Sequence, residues 1–309
     1  MITVNEAKTI IHSSVKALPP VKVFLSQAFD TILAEDVFAP YDIPAYPQSS
    51  MDGYAFSFAD LSKQKSFSVA GESAAGNNVP FTIPQQTAAR IFTGAAVPGG
   101  ADTVVMQEKI QLQNGSIIIN DDRLEEGYNV RKKGSEISKG ELALQHGTYL
   151  NAAAVGFLAN VGITHVNVYA KPNVSVILTG NELKQPGSPL GYGEVYESNS
   201  FALSAALMQL HVQSISTFES KDDPSELKRV LQQAMLQSDL ILLTGGVSVG
   251  DYDFVRATAE ACGVQTLFHR IKQRPGKPLY FGASDRKVVF GLPGNPSSVL
   301  ACFYEYVVP

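Results

Sequence analysis

The 309-residue chain is poor in cysteine, with Cys262 and Cys302 alone, and it has no tryptophan. The two thiols make no C-x-x-C and belong to no histidine-cysteine cluster, which excludes a disulfide scaffold and a zinc ribbon. A reducing cytoplasm is the setting this predicts. Both thiols lie in apolar stretches of helical pattern and are expected to be buried structural groups. Positive charge is not in excess: the formal net charge is −5, which argues against a nucleic-acid-binding surface but leaves room for a local basic pocket. No apolar run is long enough to span a bilayer, and the longest, near residues 152–161, is broken by Asn160. The opening MITVNEAKTI has neither the basic nor the apolar region of a secretory leader. Two nucleotide signatures are missing, the Gly-Lys-Ser/Thr of a Walker loop and G-x-G-x-x-G. The five histidines are scattered and make no H-E-x-x-H, so none is expected to bind metal or act as a base.

What is present points to a folded chain of about two domains. Hydrophobic residues make up 45% and charged residues 17%, enough apolar side chains for a large core. Thr3 and Glu6 have capping-box spacing ahead of a helix over residues 3–16. Residues 54–140 read as short strands with many Gly and Pro, and Asn114-Gly115 predicts a hairpin turn. Asn151 caps a predicted helix that ends at Gly162. After Lys171-Pro172, strands and helices alternate to the end of the chain, the pattern of a doubly wound α/β domain. Ligands of such sheets bind beyond the C-terminal ends of the strands.

Four loops carry residues of chemical interest, and three of them, after Thr179, Thr244 and Gly291, fall at those ends. Thr244-Gly245-Gly246 closes an apolar run and leads through Ser248 and Gly250 to Asp251 and Asp253 at the start of a helix. Free backbone N–H groups there suit a phosphate, and two carboxylates suit Mg²⁺. Leu178-Thr179-Gly180-Asn181-Glu182 could place Glu182 in the same cleft. Arg274-Pro275-Gly276-Lys277 sets two cations about a turn, where they could converge on one oxyanion. Gly294-Asn295-Pro296-Ser297-Ser298 opens a second helix with hydroxyls in its first turn. Each has a plain alternative, a turn, a cap or a solvated charge, and taken singly none decides the matter.

Taken in order, SSMDGYA, IFTGAAVPGGADTVVMQE, LTGNEL, ESNS, TGGVSVGDYDF, RPGKPLYFG and GLPGNPSS, within residues 47–298, resemble the motifs of the molybdopterin molybdenumtransferases. These are the MoeA-like molybdenum insertases, related to the gephyrin E domain. The resemblance implies an enzyme that inserts molybdate into adenylylated molybdopterin and cleaves the anhydride, giving molybdenum cofactor and AMP with Mg²⁺ assisting. It assigns Glu182, Asp222 and Asp253 to metal or pyrophosphate handling and Arg274, Lys277 and Ser298 to the molybdate oxyanion. Gly245, Gly246, Ser248 and Gly250, between Thr244 and Asp251, would form the pterin-phosphate loop, with Gly294 and Asn295 nearby. Asp52 and Thr93 belong to a small domain that, in the family's homodimer, faces the partner's cleft, where Asp52 acts in the reaction.

The implied plan is a split α+β domain over residues 1–39 and 139–170, an inserted β-rich domain over 40–138, and the molybdopterin-binding α/β domain over 171–309. The family continues into a C-terminal β-rich domain that this sequence does not include. A molybdopterin adenylyltransferase and molybdoenzymes are the implied transient partners, with no nucleic acid and no membrane. Two positions depart from the family pattern: Arg274 stands where lysine is usual, a planar fork in place of a point charge, and Glu136 where aspartate is usual. Two alternatives remain, a pterin-binding module without turnover and a related adenylyltransferase. SSMDGYA and the long N-terminal region argue against the second.

Overall fold

The structure is a computed structural model that describes residues 1–76, 79–245 and 254–309. The chain divides into two compact units, Lys22–Val168 and the combination of Met1–Val21 with Tyr169–Pro309.

Helix α1 (Val4–Ser14) opens with the expected capping box: Thr3 Oγ1 accepts from Glu6 N–H while the Glu6 carboxylate accepts from Thr3 N–H. Its Ile10 and Ile11 pack against the α/β core. The backbone just before it is tied to the 270–272 segment, with Ile2 N donating to Arg270 O and Lys272 N to Ile2 O.

Strands β1 (Pro20–Phe24) and β2 (Ile32–Leu33) precede the β-rich part of the first unit. That part holds β3 (Gly53–Phe56), β4 (Ser66–Ser73), β5 (Thr87–Ile91), β6 (Thr103–Met106), β7 (Ile110–Gln113) and β8 (Ser116–Ile119). They form one six-stranded sheet in the order β6-β3-β5-β4-β8-β7. Asn114 and Gly115, both at positive φ, make the β7–β8 turn, where the left-handed backbone matches the strand twist. Phe56, Phe67, Val105 and Ile117 are fully buried in its core. Asn151 then caps α2 (Ala152–Asn160) by accepting from Ala154 N–H, and β9 (His165–Tyr169) returns between β1 and β2.

The remaining elements are β10 (Val174–Thr179), α3 (Asn199–Gln209), β11 (Ile215–Ser220), α4 (Pro224–Gln237), β12 (Leu240–Thr244), α5 (Phe254–Ala261), β13 (Gln265–Arg270), β14 (Pro278–Ser284), β15 (Lys287–Leu292) and α6 (Pro296–Cys302). The sheet order is β11-β10-β12-β15-β14-β13. The first four strands are parallel, as the doubly wound reading requires; β14 runs antiparallel between β15 and β13. That reversal follows from a connection too short for a crossover helix: only Asp285 and Arg286 separate β14 from β15.

Both faces of the sheet are covered, and strand alternation shows it. Val174, Val176 and Leu178 join Leu242, Phe290 and Leu292 under α1, α3 and α6. Ile177, Ile241, Leu243 and Val289 point the other way, onto α4 and α5. β10 is buried from end to end, so its one polar interior residue, Ser175, shares a hydrogen bond at 2.7 Å with the Ser238 hydroxyl. The thiols divide: Cys302 is buried on α6, whereas Cys262, one residue beyond the end of α5, is only partly covered, contrary to the expectation for both. Among the described residues no helix is long and apolar enough to cross a membrane.

Candidate functional site

In the α/β unit the chain leaves β10 for β11 on one side and later returns to β12 on the other, so the strand order reverses between β10 and β12. A crevice opens at such a reversal, outside the carboxyl ends of the strands. Thr179 and Thr244 end these two strands, both buried, and Thr179 Oγ1 donates to Thr244 O at 3.3 Å. The next residue, Gly245, has φ +81°, and a Cβ there would lie 2.2 Å from Thr179 O. Only glycine lets the loop turn this closely across the end of β10. Gly294 comes near it: a Cβ on Gly294 would be 3.8 Å from Gly245 Cα. Gly245 and Gly294 therefore lie close together at the strand ends. Gly246, Ser248, Gly250, Asp251 and Asp253 lie outside the described residues.

Glu182 and Asp222 emerge from the ends of β10 and β11. The Glu182 carboxylate lies over Gly180, and Asp222 is joined to Asn181 by two long backbone contacts: Asn181 N donates to Asp222 Oδ2 at 3.3 Å and Asp222 N to Asn181 Oδ1 at 3.4 Å. Both acids are exposed. A cavity of about 280 Å³ beside them is lined by Asn181, Lys184, Glu197, Glu219 and Lys221. A larger apolar cavity, about 690 Å³, opens at the opposite ends of the strands, by Leu240 and Val288, away from these groups.

The cations come from the β13–β14 connection. Arg274 and Lys277 are exposed on it, and neither is paired with a described side chain. Ile271 N donates to Lys277 O at 3.1 Å, closing the loop at its base. Ser298 is 7% exposed, and Asn295 Oδ1 accepts from the N–H groups of Ser297 and Ser298. The first-turn donors of α6 are thus taken by its own cap, and the structure favours the capping reading for Asn295.

The other unit brings Asp52 and Thr93 together from two motifs. Asp52 Oδ1 accepts from Thr93 N at 2.8 Å and from Thr93 Oγ1 at 2.7 Å. The Thr93 N–H, then its hydroxyl, then the nearby Arg90 charge hold the Asp52 carboxyl below its ordinary range. Glu136, the departure noted above, pairs with Arg131, and Lys133 meets Asp42 at 3.3 Å.

Three further residues carry weight that sequence reading did not assign. Arg90 donates to Gly53 O at 2.9 Å and Gln107 Oε1 at 2.7 Å, with its guanidinium over the rings of Tyr54 (5.2 Å) and Phe92 (4.8 Å). It clamps the strand ends that bear Asp52 and Thr93. Asn199 donates to Gly294 O at 2.9 Å, and its Oδ1 is buried without a partner. Arg270, at the end of β13, likewise has a buried Nε without a partner. The signals for Arg90 and Asn199, a cation next to IFTG and an amide inside ESNS, were visible, but the contacts these two make are not local.

A doubly wound α/β unit with two exposed acids, two exposed cations and a glycine-only turn at one set of strand ends defines an enzyme-type domain for a small, polar, anionic ligand. Residues 2–162 match the family described as MoeA N-terminal region (domain I and II), and residues 175–309 the one described as probable molybdopterin binding domain. The molybdopterin molybdenumtransferase of Haemophilus influenzae is 38% identical over 285 residues, which cover 92% of this chain and 70% of that protein. That of a Nostoc species is 36% identical over 321 residues, covering 100% and 73%. Two structures of a molybdopterin biosynthesis MoeA protein from Pyrococcus horikoshii superpose with TM-scores of 0.83 and 0.80 at 33% and 29% identity; they cover 100% and 99% of this chain, and 78% and 77% of theirs is covered. The chain belongs to the molybdopterin molybdenumtransferase family, transferases that insert molybdenum in molybdenum cofactor biosynthesis.

Proposed function

We propose that this chain takes adenylylated molybdopterin and molybdate, breaks the phosphoanhydride and releases molybdenum cofactor and AMP. The observation that carries this reading is the separation of charge at one end of the α/β sheet. Glu182 and Asp222 stand on loops after β10 and β11, Arg274 and Lys277 on the β13–β14 loop, and Gly245 between them.

Mg²⁺ is bound through one or two carboxylates together with substrate phosphate oxygens. Glu182 and Asp222 fit that demand, being exposed hard-oxygen donors held by no cationic side chain among the described residues. Among the described residues no group of three or more His, Cys, Asp and Glu is gathered for a metal, so the set is these two acids, with Asp253 outside the described residues. The ion, when bound, neutralises pyrophosphate charge as the anhydride opens. Arg274 and Lys277 hold the molybdate oxygens by charge-assisted hydrogen bonds. The Gly245 N–H, at the turn beyond β12, supports the pterin phosphate. Asp52, oriented by Thr93, presents an ionised oxygen to the cleft of the partner in a homodimer.

The test is reconstitution in vitro. Adenylylated molybdopterin, molybdate and Mg²⁺ are supplied, AMP release is followed, and the product is added to a cofactor-free molybdoenzyme. Molybdate-dependent AMP release with recovery of molybdoenzyme activity is the expected result. Pterin binding without AMP release would refute turnover by this chain.

A further inference from the structure

Two cations recognise an oxyanion well only if their spacing is fixed beforehand, because ordering a loose loop on binding consumes the interaction energy. Arg274 and Lys277 project from an exposed turn and have no side-chain partners among the described residues, so the support must come from the residues around them.

That support is concentrated on Gln273. Its Nε2 donates to Pro275 O at 2.9 Å, inside the turn, and its Oε1 accepts from the Tyr306 hydroxyl. Both ends of one amide are used, one on the loop and one on the segment that continues α6. Gly276, at φ +94°, completes the fastening. A Cβ there would lie 2.6 Å from Cys302 Sγ and 3.0 Å from Gln273 Nε2, so the turn is pressed against α6. Cys302 and Tyr306 are both buried, at i and i+4 on the same face. The anchor is therefore part of the hydrophobic core, and the cations are not.

We infer that Gln273 is a positioning residue for the oxyanion loop, with Tyr306 as its anchor, and that together they hold the Arg274–Lys277 turn in its molybdate-binding shape. The inference rests on the reading of that turn as the molybdate site. Glutamine suits the task because it accepts and donates at once; glutamate could accept from Tyr306 but could not donate to Pro275 O. Burial pushes the Tyr306 hydroxyl up to about 12, so it remains a donor throughout the working pH range.

The experiment measures AMP release by the full chain against molybdate and, separately, against adenylylated molybdopterin. The variants are Lys277→Ala, Gln273→Ala, Gln273→Glu, Tyr306→Phe and the double variant Gln273→Ala/Tyr306→Phe. Calorimetric titration with molybdate provides a readout independent of turnover. In the Gln273 and Tyr306 variants, molybdate KM and Kd should rise about tenfold or more, with the pterin KM and melting temperature near wild type. Gln273→Glu should behave like Gln273→Ala. The double variant should be no worse than Gln273→Ala, because both changes break the same chain of bonds. If Lys277→Ala weakens molybdate but the Gln273 variants do not, the inference fails and the site reading stands. If Lys277→Ala leaves molybdate binding unchanged, the turn is not the oxyanion site and both fall. Equal losses for the two substrates together with a lowered melting temperature would make Gln273 merely structural.

Discussion

Asp52 and Asp222 are both exposed aspartates beside strands, yet they are held in opposite ways. Asp52 gives one oxygen to two short bonds from a single residue, Thr93, at 2.8 and 2.7 Å. Among the described residues the Asp222 carboxylate meets only the backbone N–H of Asn181, at 3.3 Å. A carboxylate bound by short neutral donors is oriented, and its charge is preserved. A loosely held one keeps lone pairs for a cation. On the proposed function the contrast would separate an oriented acceptor from an ion ligand, although sequence motifs alone place both among the acids of one reaction.

The largest expected effect lies on the loose side. Asp222→Asn or Lys277→Ala should lower molybdate-dependent AMP release by about 10²–10³-fold, the scale for removing one electrostatic contact to the reacting groups. An unchanged thermal melt would show that the fold is intact, and wild-type turnover by either variant would remove the assigned role.

The rigid backbone beneath these side chains can be tested next. Gly245→Ala forces a Cβ toward Thr179 O and a left-handed backbone, so it should cost about 2–3 kcal/mol in a urea unfolding series. A neutral result would mean that the strand end yields, and that the α/β site is soft throughout.

Asp52→Asn keeps an acceptor for Thr93 and loses only charge, so AMP release should fall by less than for Asp222→Asn. An equal loss in the two variants would break the contrast. The smallest effect is in acid. The folded Asp52 carboxyl titrates below the ordinary 3.8, so its contribution to stability is present above about that pH and lost as pH falls through the folded value. Carboxyl NMR should show a midpoint below 3.8, moving toward 3.8 in Thr93→Val, which deletes the hydroxyl donor.

Much of the fold was legible because its signals are local. The Thr3–Glu6 capping box, the Asn114-Gly115 hairpin and the Asn151 cap all formed where their residues predict. Each depends on bonds between residues a few positions apart, so the sequence alone carries the information. Less was legible at the edge of the α/β sheet. The apolar runs at β13, β14 and β15 reveal strands but not direction, and the antiparallel turn became evident only from pairing. Cys262 also misled, because its apolar neighbours belong to α5 while the residue itself falls just past the helix end.

By itself the sequence determined the order of elements, the α/β class and, through its collinear motifs, the family. Tertiary structure alone decided which chemical groups meet. Thr93 reaches Asp52 across 41 positions, Asn199 reaches Gly294 across 95, and Tyr306 reaches Gln273 across 33. No periodicity encodes such pairs. They exist because burying both faces of one sheet and pairing the strands of another bring distant loops to common ends, where unsatisfied polar groups find each other.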